Sequence, residues 1–500
     1  MSMFNFKTND KLKLFNLFFN TAIFSFIVLL FFRLFNSVGL IMDSLEHIHA
    51  SWLISEGLTP YKDFFEHHNP LLWYLFAPVV KFFNQQPIEI IYTSRLIAIL
   101  GYLFSLFLLY KITFKYTKDS IIARLCILLC LSCPVIWFEV QNLRPDIFMY
   151  IFILIAINYI FDYLNNHKTL YLCLSYFFWL IAFLFLQKTI LYALGFFCAN
   201  IILMHKRKIL VKDALYAIIA PLLLTALISI YFYNKQILSE WFYYNFTFNN
   251  FLANYYKNGY YINTLMVLLA LFVIRCYKRT NNGDILFFTW ITSFWGIVYF
   301  SPHSHYYFIY FILTILLLSS CLKKFLIKQF IFSFFILSII VIKSFYHLYD
   351  SNKLRPHLET MKYIVENSDK NDKLLNAHIP YNIFNYDTDF YWFGFHNVVI
   401  VGDLFTPKHF DYNLKIKTNK PKFVFIDNNL FDKPAFNNSK WFNARNSYIL
   451  QRASKGDLSY LDKMSKINLD YWNIDMEFIK QNYEQVKTYG NTQIWKRIDN

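Results

Sequence analysis

Glycine, proline and cysteine are scarce in this chain of 500 residues, which has 11 glycines, 13 prolines and 7 cysteines. No glycine-rich loop of the Walker A type is present, which argues against an ATP-driven transporter. All the cysteines lie within or at the ends of apolar segments, and this disfavours both a disulfide framework and a zinc site of the CxxC type. The sequence also contains no internal repeat, no low-complexity tract and no HExxH motif.

Charge is also sparse, because charged residues make up only 16% of the chain against 57% hydrophobic and 21% aromatic residues. That balance is typical of a polytopic membrane protein rather than of a soluble globule. The net charge of +16 does not indicate a nucleic-acid partner. Lys and Arg concentrate in short loops between apolar segments, which is the cytoplasmic-side pattern of membrane topology.

Long apolar segments recur over residues 1–346. A spanning helix needs about 20 apolar residues, and this rule predicts about eleven transmembrane helices. They lie near 15–41, 88–110, 120–138, 146–164, 169–187, 189–204, 213–233, 261–277, 285–301, 305–322 and 328–346. The distribution of Lys and Arg predicts a cytoplasmic N-terminus, which puts the loop 43–87 and the tail from 347 on the outer face. The first span is too long for a signal-peptide core and is expected to remain as an anchor.

The tail has a different pattern from the rest of the chain. It predicts a helix over 353–367 and short strands over 373–378, 397–401 and 423–427, separated by proline and glycine. The expected fold class is therefore a polytopic α-helical membrane protein with a C-terminal α/β domain. The expected domains are a transmembrane domain over 1–346 and a periplasmic or extracytoplasmic domain over 347–500.

The first outer loop has the densest concentration of ionisable side chains. Between residues 43 and 70 it contains Asp43, Glu46, Asp63, Glu66, His47, His49, His67 and His68. Such groups are costly to keep near a bilayer, so their concentration indicates function. Apolar residues recur at helical spacing from Leu45 to Leu53, and Gly57 ends the pattern. We expect a helix lying along the membrane interface, with Glu46 and the histidines nearer its polar side.

Two structural interpretations of this loop stay open. Asp43 and Glu46 have the spacing of a capping box, in which Asp43 would simply start the helix. The histidines and carboxylates could also hold a divalent metal, although His67 and His68 are adjacent and adjacent side chains usually point in different directions. No cofactor is certain from the sequence.

A family resemblance is specific to this loop. The run Asp43, Glu46, His47, His49, Gly57, Pro60, Tyr61, Asp63, Phe64, Phe65, Glu66, His67, His68 and Pro70 resembles the first outer loop of bacterial GT-C glycosyltransferases, such as the protein O-mannosyltransferases and the lipid A aminoarabinose transferases. The resemblance covers the whole architecture, but its motifs are dense only over 43–70. Members often have Asp-Glu at the loop start, whereas this chain has Asp43-Ser44, and Glu46 could supply the second carboxylate one turn on.

The resemblance implies a GT-C fold, a catalytic aspartate in the first outer loop and a sugar donor linked to a polyprenyl phosphate. Asp43 is the expected general base for the acceptor hydroxyl, and Glu46, Glu66 and Asp146 are further candidate catalytic carboxylates. A carboxylate whose pKa is raised by partial desolvation suits a base, while phosphate leaves with little acid help. Single displacement would invert the anomeric centre.

The leaving phosphate needs cationic groups from several loops. The candidates for binding it are His67, His68, Arg144, Lys188, His303 and His305. The last four fall on the outer side in the predicted topology, as a carrier-phosphate pocket requires. Interface snorkelling of Arg144 and Lys188 and a polar turn around His303 and His305 remain alternatives. Asp146 could also pair with Arg144 structurally.

The expected protein is thus a hexosyl- or pentosyltransferase of the bacterial inner membrane. Its expected acceptor is a lipopolysaccharide, another glycolipid, a surface polysaccharide or a protein. The aromatic loop 234–260 is expected to form an interfacial belt, with a groove for the sugar or the isoprenoid tail as the alternative. The rival function is a transporter or flippase for lipid-linked glycans, which should have charges deep in the spans and broken helices at the midplane.

Overall fold

The computed structural model describes residues 8–35, 42–133, 140–250, 270–275, 277, 280–300, 310–319, 335–343, 354–376, 381–388, 390, 392, 412–427, 475–489 and 492–498. The chain divides into two compact units. The first comprises Met1–Val38, Tyr92–Tyr231 and Tyr261–Asn352, and the second comprises Gly39–Ile91, Phe232–Tyr260 and Lys353–Asn500. The second unit therefore combines the first outer loop with the C-terminal segment, and the contiguous boundary near residue 346 stays a prediction.

The described residues are mostly helical. The α-helices are α1 Thr8–Phe35, α2 Met42–Ser55, α3 Leu71–Phe82, α4 Pro87–Thr117, α5 Ser120–Leu131, α6 Pro145–Asn166, α7 Thr169–Phe185, α8 Thr189–His205, α9 Val211–Asn234, α10 Leu238–Phe242, α11 Asn281–Phe300, α12 Tyr310–Ser319, α13 Leu354–Glu366, α14 Tyr412–Asn419 and α15 Met476–Asn482. A π-helix over Tyr243–Phe248 continues α10. Further helical stretches lie at 270–275 and 335–343.

Four of these helices are long and apolar enough to cross a membrane: α1 from Asp10 onward, α4, α6 and α9. The helices α3, α5, α7, α8 and α12 are apolar but shorter. The chain is therefore a multi-pass membrane protein, while the predicted number of about eleven spans is not confirmed. Of the predicted spans, 261–277 lies mostly outside the described residues, and 305–322 and 328–346 are described only over 310–319 and 335–343.

In the first unit, α6 and α7 form an antiparallel pair. His167 turns the chain between them with a φ of +52°. Ring contacts follow the pair along its length. The ring centroids of Phe148 and Phe185 are 5.3 Å apart. The contact joins the start of α6 to the end of α7, so residues that precede α6 and residues that follow α7 lie at the same end of the pair.

Within the described residues of the second unit, four strands form a mixed sheet. Its strands are β1 Leu374–Asn376, β2 Phe423–Asp427, β3 Tyr483–Tyr489 and β4 Thr492–Arg497, in the order β1-β2-β4-β3. The β1–β2 pair is parallel and the other two pairs are antiparallel. The predicted helix over 353–367 and the strands over 373–378 and 423–427 are confirmed as α13, β1 and β2. The sequence prediction missed the hairpin of β3 and β4, and the strand predicted over 397–401 lies outside the described residues.

Candidate functional site

Helix α2 presents the first ionisable residues of the outer loop. It begins at Met42, so Asp43 lies half-buried in its first turn, where the helix dipole favours a negative charge. The helix ends at Ser55, and Gly57 follows with a φ of +94°, a backbone conformation that glycine adopts without strain. The predicted helix and its glycine stop are confirmed.

The placement of this helix on the membrane interface stays a prediction, but the polar side of the helix is not exposed to solvent. The apolar residue Ile48 is fully buried, but Glu46 and His47 are each only 1% exposed, and His49 is fully buried. The polar side chains therefore lie inside the protein and not on a solvated face. The covering segments belong to other parts of the chain, which the helical periodicity does not show.

The chain reverses direction between Thr59 and Phe64. The Thr59 amide donates to Asp63 Oδ2 at 2.7 Å, and the Tyr61 amide donates to the Phe64 carbonyl at 2.9 Å. Asp63 is exposed, so its carboxylate stabilises the turn and lies on the outside of the loop. The buried Tyr61 hydroxyl donates to the His68 carbonyl, which fixes the backbone on the far side of Glu66.

Glu66 is fully buried against Glu46, which reaches it from α2. Burial raises the pKa of Glu66 well above its usual range, and the neighbouring Glu46 carboxyl group and His67 backbone only partly oppose that rise. Two ionised carboxylates this close in a buried site repel each other, so the pair favours the state that retains one proton.

His68 lies beside both carboxyl groups. Its Nδ1 is 3.6 Å from Glu46 Oε1 and 4.0 Å from Glu66 Oε2. The His67 and His68 ring centroids are only 4.1 Å apart, so these adjacent side chains lie together and do not point in different directions as their adjacency suggested. We call Glu46, Glu66, His67 and His68 the carboxyl–histidine cluster.

His47 meets this cluster from α2. The indole Nε1 of Trp73 on α3 lies 3.0 Å from His47 Nδ1, and because an indole N–H only donates, His47 Nδ1 accepts. The neutral ring then carries its hydrogen on Nε2. Its edge faces His68, with centroids 5.4 Å apart.

The cluster has the composition of a metal site. Glu46, His67 and His68 each offer one ligand atom, and these atoms lie within 4.8 Å of one another. One carboxylate and two imidazoles are a common donor set for a catalytic zinc ion, which leaves a coordination position for substrate. These residues fit the divalent metal that the sequence left open.

His49 binds a residue that the sequence did not single out. Its Nε2 is 2.8 Å from Asp387 Oδ2, and its Nδ1 is 3.1 Å from the Ile383 carbonyl oxygen. Burial raises the pKa of Asp387, and the nearby His49 and a hydrogen bond from Asn382 partly oppose that rise. His49 thus connects α2 to the C-terminal segment and does not belong to the carboxyl–histidine cluster.

The remaining candidates belong to the first unit or lie outside the described residues. Arg144 Nε is 3.3 Å from Asp146 Oδ2, and both side chains are buried, so these two residues form an ion pair. Lys188 directly precedes α8. The α6–α7 pairing puts Arg144, Asp146 and Lys188 at one end of that pair. His303 and His305 lie outside the described residues.

Comparison with solved structures identifies proteins of similar fold. ArnT from Cupriavidus metallidurans bound to undecaprenyl phosphate matches with a TM-score of 0.57 and 8% identity, over 96% of this chain and 97% of that chain. The archaeal oligosaccharyltransferase AglB from Archaeoglobus fulgidus, in complex with an inhibitory peptide and a dolichol-phosphate, matches with a TM-score of 0.48 and 12% identity, over 83% of this chain and 70% of that chain. No protein-family model and no curated protein sequence matches the chain. The ArnT match supports the expected helical membrane fold over 96% of the chain, while the number of spans and the separate C-terminal domain stay predictions.

Proposed function

We propose that this chain is an integral membrane glycosyltransferase that moves a sugar from a polyprenyl-phosphate carrier to an envelope acceptor. The observation that supports it most is the buried contact between Glu46 and Glu66, with His67 and His68 beside it, in the first outer loop of a chain with the ArnT fold. ArnT is a lipid A aminoarabinose transferase, and its solved structure contains undecaprenyl phosphate. We place the reaction on the outer face of a bacterial inner membrane, with the N-terminus cytoplasmic.

The proposed reaction is a single displacement. The acceptor hydroxyl oxygen forms a bond to the anomeric carbon, and the bond from that carbon to the carrier phosphate breaks with its electron pair on the phosphate. The hydroxyl proton passes to a carboxylate, for which we propose Asp43. Glu46 lies three residues further along α2 and therefore on the same face as Asp43. The displacement inverts the anomeric centre.

The leaving phosphate gains negative charge and needs cations near it. We propose Arg144 and Lys188 for this role, because they lie at one end of the α6–α7 pair and come from separate loops. His303 and His305 remain candidates from the sequence. Asp146 holds the Arg144 guanidinium, which makes it a positioning residue more than a base.

A divalent metal is a further component of the proposal. Glu46, His67 and His68 would hold it, and the ion would stabilise negative charge on the phosphate oxygens. We expect a chelator to lower transfer and Zn²⁺ or Mn²⁺ to restore it. Full activity after exhaustive chelation, with no metal detected in the protein, would show that these residues act without one.

The experiment that tests the function is transfer of labelled sugar from a polyprenyl-phosphate donor by purified protein in liposomes. Asp43→Asn, Glu46→Gln and Glu66→Gln each remove one carboxylate, and Asp63→Asn is the matched control because Asp63 is exposed in the same loop. We expect losses of roughly 100-fold or more in the first variant and of at least roughly 10-fold in the other two, and near-normal transfer in the control. If wild type moves the lipid-linked sugar across the bilayer without consuming it, the protein is a transporter and the proposal is wrong.

A further inference from the structure

Asn249 directly follows the π-helix and holds His67. In a π-helix each turn contains one residue more than in an α-helix, and such insertions are frequent at functional sites. Here the wide turn leaves the carbonyls of Tyr244 and Asn245 within reach of the Asn249 side chain, at 3.2 Å and 3.1 Å from its Nδ2. The same Nδ2 donates to the His67 carbonyl at 2.6 Å.

These contacts decide which way the Asn249 amide points. Carbonyl oxygens only accept hydrogen bonds, so the atom that faces three of them must be the NH₂ group. The other end of the amide is then Oδ1, which lies 2.9 Å from His67 Nδ1. Because Oδ1 only accepts, His67 Nδ1 must carry a hydrogen, and in the neutral ring the lone pair is on Nε2.

We infer that Asn249 is a positioning residue that holds His67 in the tautomer with Nδ1 protonated, so that neutral His67 acts through Nε2 as a hydrogen-bond acceptor or metal ligand. This inference rests on the proposed glycosyl transfer. A neutral His67 then cannot donate to a phosphate oxygen, and its natural partners are a hydroxyl group of the sugar acceptor or a divalent cation. A hydrogen bond from one ring nitrogen to an oxygen acceptor is the usual way to orient an imidazole whose other nitrogen binds such a partner.

The ring of His67 has little freedom to adopt another orientation. It stacks on Phe65, with centroids 5.8 Å apart, and meets the edge of Phe248 at 5.9 Å. Phe248 is the last residue of the π-helix and is 5% exposed. The π-helix therefore supplies both the amide that sets the tautomer and the aromatic side chain that supports the ring.

The test uses the full chain in liposomes with ¹⁵N-labelled histidine. Solid-state NMR distinguishes the two neutral tautomers, and the signals lost in His67→Gln identify His67. Asn249→Ala removes the acceptor, Asn249→Asp keeps an oxygen in the same place, and Thr247→Ala is the control on the exposed side of the π-helix. Thermal unfolding verifies that each variant is folded.

We expect Asn249→Ala to convert His67 to a mixture of tautomers and to lower kcat roughly 10- to 100-fold, with the donor KM unchanged within about twofold. Asn249→Asp should keep the Nδ1–H signal, because a carboxylate oxygen also accepts from Nδ1, but it loses the donor to the three carbonyls and should recover only part of the kcat that Asn249→Ala loses. Thr247→Ala should resemble wild type. The inference is overturned if folded Asn249→Ala keeps the wild-type His67 spectrum, or if it loses the tautomer and still turns over normally. If wild-type protein transfers no sugar, the proposed function fails, and with it the role in transfer, while the spectra still decide whether Asn249 sets the tautomer.

Discussion

Glu66 is fully buried, and burial raises the pKa of its carboxyl group well above the usual range. Beside Glu46 it retains a proton more readily than a solvated carboxyl group does. The position therefore opposes stability while it keeps a proton-transfer group in the candidate site. Natural proteins accept such local destabilisation where the chemistry needs it.

Glu66→Gln should separate these two effects. The amide keeps the shape, needs no proton and donates a hydrogen bond to Glu46, so we expect the free energy of unfolding at pH 7 to rise by about 1 kcal/mol. Sugar transfer should fall in the same protein. Thermal unfolding in detergent and the liposome assay check the two parts, and a variant that loses both stability and transfer would contradict this account of Glu66.

Asp387 gives a prediction about pH. Burial raises its pKa above the ordinary value of 3.8, so between that value and the raised one the native state binds more protons at this site than the unfolded chain. Stability from this site is therefore lost as the pH rises through that window. Asp387→Asn removes the titration, and we expect the advantage of wild type over the variant to shrink from about pH 4 towards neutral pH.

The measurement is the unfolding temperature of both proteins across this range. His49 is the titratable group that faces Asp387, so Asp387→Asn should be compared in the His49→Gln background as well. Asp369→Asn is the control, because Asp369 is an exposed carboxylate in the same unit. A difference between wild type and Asp387→Asn that grows with rising pH would contradict the direction of the shift.

Local sequence pattern predicted single elements well. Helix α2 with its stop at Gly57, helix α13 and strands β1 and β2 all follow from apolar spacing and breaker residues, which act over a few neighbours in the chain. The concentration of ionisable side chains in the first outer loop was also predictable, because Glu46, Glu66, His67 and His68 lie within one short stretch of sequence. The structure brings these side chains together.

Partners distant in the chain were not predictable in the same way. His49 and Asp387 are separated by 338 positions in the sequence. Helical spacing predicts which residues share a face of α2, but it does not predict which other segment packs against that face. The aromatic loop 234–260 was expected to be an interfacial belt. That expectation stays a prediction, and the described part of the loop also contains the π-helix and Asn249, which contacts His67. A π-helix depends on one inserted residue and leaves no clear periodic signal.

Helices α8 and α11 are packed closely at Gly195. A Cβ at this position would lie 2.0 Å from the Phe288 carbonyl oxygen, so an alanine requires the backbones to separate. Gly296 lies in α11, where a Cβ would meet only the Leu191 side chain, at 2.8 Å. A side chain can rotate away more easily than a backbone can shift.

We therefore expect Gly195→Ala to lower the free energy of unfolding by roughly 2–3 kcal/mol and Gly296→Ala to lower it by about 1 kcal/mol or less. Both substitutions add a good helix former, so propensity alone would stabilise both. Thermal unfolding of the two variants in the same detergent measures which substitution lowers stability more. Equal effects would mean that the close approach at Gly195 does not limit the packing of these helices.

The chain is similar in fold to ArnT over 96% of its length with only 8% identity. A fold of apolar helices survives wide sequence change because burial and helix length, more than individual residues, maintain it. Function depends on particular side chains placed on that fold. The proposed reaction is therefore tested through the carboxyl–histidine cluster and Asn249, which are features of this chain, and not through the fold.

The second unit is built from two segments that are distant in the chain, the first outer loop and the C-terminal segment. The Phe65 amide donates to the Phe390 carbonyl at 2.8 Å, and the Phe65 carbonyl accepts from Trp392 Nε1 at 3.0 Å, so both backbone groups before Glu66 are held by the C-terminal segment. The Asp387 contact holds α2 in the same way. Removal of residues 353–500 should therefore expose amide hydrogens over 42–70 to exchange and abolish transfer, while α6 and α7 of the first unit stay protected.

The matched control is Trp392→Phe, which keeps the ring but removes the donor to Phe65. Loss of one buried hydrogen bond should increase exchange around residues 64–66 and lower transfer without unfolding the loop, because about 1 kcal/mol is small beside the other contacts. Hydrogen–deuterium exchange on the truncated chain and on Trp392→Phe tests whether the C-terminal segment holds the outer loop. If the truncated chain keeps a protected loop and normal transfer, the outer loop folds with the membrane helices alone, and the contiguous boundary near residue 346 is the better description of the domains.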